Sequence, residues 1–158
     1  MKHLPKHLQP RWRYLAVGIE TWPDAEFDRG AFQRHLWYAA QNLLGEAASA
    51  AMDLRVLRFE LASGAGQAVV QVRRGEVERA RAALACLDAV DGAPVGVRVR
   101  GASGTVRACE EKYIRDGPEA VAERTVAFED DQRTAVVRSP RYDVATPDGF
   151  AGATTLDI

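Results

Sequence analysis

A chain of 158 residues, 47% hydrophobic and 27% charged, suits one globular domain with an appendage and excludes a collagenous or wholly disordered protein. Two cysteines are too few for a disulfide scaffold, and no uncharged apolar run approaches the roughly 18 residues of a membrane span. The net charge of −1 argues against a nucleic-acid binder only until the chain is divided. Residues 1–114 carry 16 Lys and Arg against 13 Asp and Glu, whereas residues 115–158 carry 5 against 9.

Residues 1–13 hold Lys2, Lys6, Arg11 and Arg13 and no acid. Pro5 and Pro10 disfavour a continuous helix, so the segment reads as an extended basic arm. It has no apolar h-region, so no secretory signal is expected, and a reduced cytoplasmic setting is the default for Cys86 and Cys109. From Arg11 to Glu20 the chain alternates, with Leu15, Val17 and Ile19 on one side of a first strand. Asp28 is placed to cap a helix over Arg29–Leu44, whose Phe32, Leu36, Ala40 and Leu43 share a stripe, and Gly45 is placed to end it. The alanine-rich Glu46–Ala51 reads as a loop or a helix extension.

Leu54–Leu61 and Gln67–Arg73 alternate again across Ser63-Gly64-Ala65-Gly66, which predicts a hairpin with Leu57, Phe59, Leu61, Ala68, Val70 and Val72 inward. Glu76–Asp88 repeats Val77, Ala80, Leu84 and Leu87 at helical spacing. A fourth strand carries Val95, Val97 and Val99 inward, and Thr105–Ile114 suits a further helix. The order predicts an α+β, ferredoxin-like β-α-β-β-α-β sandwich over residues 14–114. Its four-stranded antiparallel sheet would carry helices on one face and leave the other open, with an extra C-terminal helix. Residues 115–158, rich in acid, Pro and Gly, read as a weakly ordered tail, with a short helix over Glu119–Phe128 and a short strand over Thr134–Val137.

The open face would then carry Arg13, Tyr14, Arg58, Gln71, Arg73, Arg98 and Arg100, a set suited to phosphate contacts and stacking. The third strand has no aromatic residue, so a standard base-stacking sheet is not expected. Gly101-Ala102-Ser103-Gly104-Thr105 delivers a strand into a helix N-terminus flanked by Arg98, Arg100 and Arg107, where an anion could sit or Ser103 could simply cap. A solvated sheet face and an inert terminus are the plain alternatives. His3, His7 and His35 lack partners for a metal site, and no nucleophile–base pair is suggested. Glu129-Asp130-Asp131 reads as a solvated run. Asn42, on a helix, excludes an acylphosphatase strand asparagine.

Arg11-Trp12-Arg13-Tyr14-Leu15, Val70-Gln71-Val72-Arg73-Arg74 and Val97-Arg98-Val99-Arg100-Gly101-Ala102-Ser103-Gly104-Thr105-Val106-Arg107 together resemble the archaeal ribonuclease P protein component 2 family over about residues 1–114. The acidic tail is outside that pattern and is similar to the solubilising acid enrichment of proteins from salty cytoplasms. The resemblance implies a non-catalytic protein subunit of the endoribonuclease that removes the 5′ leader from precursor tRNA. In such an enzyme the RNA is the catalyst and holds the metal ions, Mg2+ among them, so no cofactor is expected on this chain. Implied partners are the ribonuclease P RNA and protein component 3, in a possible two-by-two assembly, with precursor tRNA as substrate and no membrane. On this reading Lys2, Lys6, Arg11, Arg13, Tyr14, Arg73, Arg98, Arg100, Ser103, Gly104 and Arg107 meet RNA. Trp12 and Trp37 meet the partner protein. The alternatives are a ligand-binding or regulatory module that dimerises through its sheet, and a protein-interaction scaffold whose charges only confer solubility.

Overall fold

A computed structural model describes residues 4–118 and 121–158; Lys2, at the head of the expected arm, lies outside them. Lys6–Leu8 form a single exposed 3-10 turn rather than extended chain. β1 (Trp12–Thr21) follows, with Leu15, Val17 and Ile19 buried as their alternation requires. α1 runs from Arg29 to Leu44. The Asp28 carboxylate accepts the Ala31 N–H at 2.8 Å, and Gly45 ends the helix at φ 82°, the two boundaries expected of those residues. The alanine-rich stretch proves to be a second helix, α2 (Glu46–Met52), anchored by buried Met52.

β2 (Arg55–Ala62) and β3 (Ala65–Arg73) form the expected hairpin. Its central residues Ser63 and Gly64 take φ 51° and 82°, the left-handed pair that matches strand twist. A register shift between Val56 and Arg58 puts Val56 and Phe59 against the core in place of a strict Leu57, Phe59, Leu61 alternation. α3 (Val77–Cys86), the two-residue β4 (Ala89–Val90) and β5 (Ala93–Ser103) follow. The strands form one antiparallel sheet in the order β2-β3-β1-β5-β4, so the mixed α+β class is as expected while the sheet has five strands instead of four.

α1 and α3 cover one face around Leu15, Val70, Val72, Leu36 and Leu84. The other face is not open. β5 runs on to Ser103, and α4 (Val106–Cys109), continued by a π-helical turn Glu110–Ile114, folds back across the sheet. Ala16 and Val69 on the sheet are buried beneath Cys109 and Ile114, with Tyr14 and Tyr113 at the margin. Two buried apolar residues on the supposedly solvated face are the reason for the cover: left open, they would face water.

Beyond residue 121 the chain is a four-stranded antiparallel meander of β6 (Ala122–Phe128), β7 (Asp131–Arg138), β8 (Arg141–Thr146) and β9 (Gly149–Thr154). The expected weak order and the helix over Glu119–Phe128 are therefore corrected: residues 122–128 are strand, while residues 119 and 120 lie outside the described chain. Val126, Ala135, Tyr142, Val144 and Ala153 give the meander a small core of its own. Glu129 and Asp130, two residues of the acidic run, are the left-handed pair of its first hairpin, at φ 49° and 66°.

Arg138 joins the two sheets. Its Nε donates to Asp143 Oδ2 at 2.8 Å, and its Nη2 donates to the carbonyls of Thr21 at 2.6 Å and Gly64 at 2.8 Å. Trp22 stacks on Phe150 with ring centroids 6.1 Å apart, and exposed Arg141 reaches Glu20 at 2.9 Å. Among the described residues no helix is long and apolar enough to cross a membrane.

Candidate nucleic-acid interface

Strand register gathers the basic residues. Trp12 pairs with Arg73 across β1 and β3, Tyr14 with Ser103 across β1 and β5, and Arg55 with Gln71 across β2 and β3. The start of β1, the ends of β3 and β5 and the start of β2 thus lie at one end of the sheet. Arg11, Arg13, Arg55, Arg73 and Arg74 all lie at that end, with Ser103, Gly104 and Arg107 of the adjoining turn; Arg73 and Arg55 share the face of Trp12 and Tyr14, and Arg13 shares the opposite face with Val72. The Arg74 N–H donates to the Arg11 carbonyl at 2.8 Å, which fixes the two arginine-bearing segments side by side.

Each of these side chains has a distinct setting. Arg73 lies over the Trp12 ring at 4.7 Å and meets Asp53 at 2.6 Å, so the tryptophan is a platform for a cation rather than a bare surface. Half-buried Arg13 points toward Gly104, where an added Cβ would come 3.9 Å from its Nη1, and its buried Nε has no hydrogen-bond partner. Arg11, Arg55 and Arg74 are exposed. Arg107, in the first turn of α4, is exposed and pairs with Glu111 at 2.9 Å. Exposed pairs of this kind are weak enough for a phosphate to replace the carboxylate. The cap of α4 is Thr105, whose Oγ1 accepts the Ala108 N–H at 3.1 Å; Ser103 is the last residue of β5.

Other expected contacts lie elsewhere. Tyr14 packs at the edge of the Cys109–Ile114 cover. Arg100 turns inward: its Nη1 donates to Gln67 Oε1 at 3.2 Å and to the Tyr113 carbonyl at 3.3 Å, fastening the cover to the sheet. Gln67, fully buried, completes the knot through Glu60 Oε1 and the Ile114 carbonyl. Arg98 is exposed opposite Gly18, toward the meander and away from the arginine cluster. Trp37 is 42% exposed on α1 beside exposed Tyr38 and Leu43, with its Nε1 donating to the Leu54 carbonyl at 2.7 Å. Sequence reading passed over Arg55 and did not place Arg74 at the site. The first lies beyond a hairpin, and pairing, not local pattern, brings it there.

Burial on the covered face pushes the Cys109 thiol up to about 11, with the neighbouring Glu110 charge adding to the effect. Cys86 is exposed.

Residues 13–114, which span the main sheet, match the Rpp14/Pop5 family along their length. The chain belongs to that family. Ribonuclease P protein component 2 of Natronomonas pharaonis is 64% identical over 158 residues, covering 100% of this chain and 98% of that protein. The protein of the same name from Haloarcula marismortui is 65% identical over 160 residues, covering 100% and 99%. A shorter match, 37% identical over 116 residues, covers 73% of this chain and 83% of the component 2 protein of Methanosarcina acetivorans. A chain in the cryo-EM structure of yeast ribonuclease MRP superposes with a TM-score of 0.49 at 14% identity, over 60% of this chain and 75% of that one, a likeness too slight to bear on function. The Rpp14/Pop5 membership agrees with the ribonuclease P protein subunit expected from the three arginine-bearing segments.

Proposed function

We propose that this member of the ribonuclease P protein component 2 family binds ribonuclease P RNA through the arginine-lined end of its main sheet. In that role it supports the RNA-catalysed removal of the 5′ leader from precursor tRNA, in the cytoplasm, with the metal ions, Mg2+ among them, on the RNA. The carrying observation is that Arg11, Arg13, Arg55, Arg73 and Arg74 are gathered from three strand ends around one end of the sheet, on both of its faces, beside Ser103, Gly104 and Arg107. Lys6 extends the surface from the arm. Guanidinium groups at this density suit phosphate oxygens, and phosphate contacts fix position without reading sequence.

The four long strands, in the order β2-β3-β1-β5, are read as a ferredoxin-like frame to which β4 and the α4 cover are added. That cover takes away the free sheet face on which the sheet-dimer alternative depends. Protein component 3 is assigned to the α1 side, where Trp37, Tyr38 and Leu43 are exposed, a surface also suited to a two-by-two assembly. Trp12, held beneath Arg73, serves the RNA surface in preference to a protein partner.

The test is affinity for structured ribonuclease P RNA as a function of salt. Arg73→Ala and Arg13→Ala are each expected to weaken binding by about tenfold and to reduce the salt slope by about 1. Binding that both substitutions leave unchanged would sink the assignment.

A further inference from the structure

At the end of the main sheet three side chains form a row across the strands. Trp12 on β1 is paired with Arg73 on β3, and Asp53, just ahead of β2, meets Arg73 from the other side. The Arg73 guanidinium carbon stands 4.7 Å over the centre of the Trp12 ring. Its Nε donates to Asp53 Oδ2 at 2.7 Å, and its Nη2 lies 2.6 Å from the same oxygen. We propose that this row is a stacking platform that takes one unpaired base of the RNA, laid on the outer face of Arg73.

The indole backs the guanidinium on one face and the carboxylate holds it by one edge. The edge that grips a phosphate with two prongs is therefore filled, which leaves Nη1 for a phosphate and the outer face for a flat partner. With both contacts in place the Arg73 side chain is still 38% exposed. Bases stack on guanidinium planes as they do on aromatic rings. Asp53 is itself held by the backbone, as the left-handed residue at φ 48° that ends α2. An exposed ion pair contributes little to stability, but one that fixes a plane in advance lowers the ordering cost of a stacked ligand.

The cover sets the size of the platform. Further along the same face Ala16 and Val69 are buried beneath Cys109 and Ile114, with Tyr14 at their margin. The open surface thus ends within one strand repeat of Trp12, room for a single base. A duplex keeps its bases inside the helix, so the platform selects an unpaired nucleotide, with exposed Arg11, Arg55 and Arg74 at the same sheet end for its phosphates. The inference rests on the RNA-binding role proposed above and names the kind of RNA segment that role takes.

Four probes are titrated against the intact chain: a single-stranded RNA decanucleotide, the same strand with its bases removed, the same strand in a duplex, and structured ribonuclease P RNA. The parent is expected to bind the single strand about tenfold more tightly than the abasic strand of equal charge, the contribution of one stacked base. Arg73→Lys keeps the charge and removes the plane, and Trp12→Leu keeps an apolar body and removes the backing ring. Both are expected to bring the single strand to the level of the abasic one, with abasic and duplex binding and the salt slope unchanged. Asp53→Asn keeps a residue that tolerates the left-handed conformation and releases the guanidinium edge. It is expected to weaken the single strand and to strengthen the duplex, because a negative charge is gone. Circular dichroism of each variant is expected to match the parent; should Trp12→Leu alter it, Arg73→Lys decides. A parent that binds intact and abasic strands equally overturns the platform. So does an Arg73→Lys that keeps the preference for bases, or one that weakens every probe alike. Structured-RNA binding that persists beside such a result leaves the role of the sheet end standing. No binding to any of the four probes overturns that role and the platform together.

Discussion

Removing the Arg138 guanidinium leaves three acceptors without their donor: the Asp143 carboxylate and the carbonyls of Thr21 and Gly64. The side chain is buried, and a carboxylate left alone in such a site costs several times an exposed pair. Arg138→Ala is therefore expected to lower stability by roughly 3 kcal/mol, read by urea unfolding. Arg138→Lys should recover little, because a single ammonium lacks the planar fork that reaches all three acceptors. Gly64 faces the same contact. At φ 82°, an added Cβ would lie 2.6 Å from Arg138 Nη2 and 2.8 Å from the Thr21 carbonyl oxygen. Gly64→Ala should cost upward of about 1 kcal/mol, from backbone strain and the displaced guanidinium together. An unfolding midpoint equal to the parent's for either variant would contradict this account.

At the scale of elements, the α4 cover depends on a β-bulge. The β1–β5 register shifts between Ala16 and Val17, so that Arg100 and Gly101 both face the cover while Val99 and Ala102 face the helices. Gly101 has no room for a side chain: an added Cβ would lie 2.2 Å from Tyr113 Cζ. Gly101→Ala should lift the cover and expose Cys109. A thiol reagent is expected to modify Cys86 alone in the native parent and both cysteines in the variant. The same thiol gives a pH signature. The unfolded thiol ionises near 9.0, but the folded one holds its proton to about 11. Above pH 9 the unfolded state therefore binds fewer protons than the native state, and stability falls as pH rises toward 11. Cys109→Ala should flatten that part of the slope, measured by unfolding midpoints between pH 8.5 and 11, a range chosen to bracket the two values.

The molecule as a whole is two sheets sharing one set of contacts, Arg138, Trp22–Phe150 and Arg141–Glu20. If these couple the sheets, the parent unfolds in one transition, and amide exchange in β6–β9 is as slow as in the core of the main sheet. In Arg138→Ala the meander amides should exchange first, ahead of global unfolding. Equal protection of both sheets in the variant would show that the remaining contacts suffice. Electrostatics also belongs to this scale. The overall charge of −1 conceals five arginines collected at one end of the main sheet, and the field a phosphate backbone would meet there is set by that local density rather than by the sum.

The sequence alone determined what depends on neighbours in the chain. Asp28 and Gly45 bound α1, the Phe32, Leu36, Ala40 stripe chose its buried face, and Leu15, Val17 and Ile19 set the face of β1. The arginine-bearing segments of residues 11–15, 70–74 and 97–107 carried the family. Caps, periodicity and motifs are short-range signals, and they survive folding unchanged. Tertiary structure decided where those arginines lie. Pairing brought Arg74 to Arg11 and Arg55 to Gln71 at the same end of the sheet, and the bulge turned Arg100 inward. The fold-back of α4 closed a face that alternation left open. The meander was the hardest part to read, because the Glu129-Asp130 acids, which suggest disorder in composition, are the polar turn of a hairpin. Its order comes from five core residues spread over β6–β9 and an arginine that reaches across to carbonyls of another sheet, contacts that no local window contains.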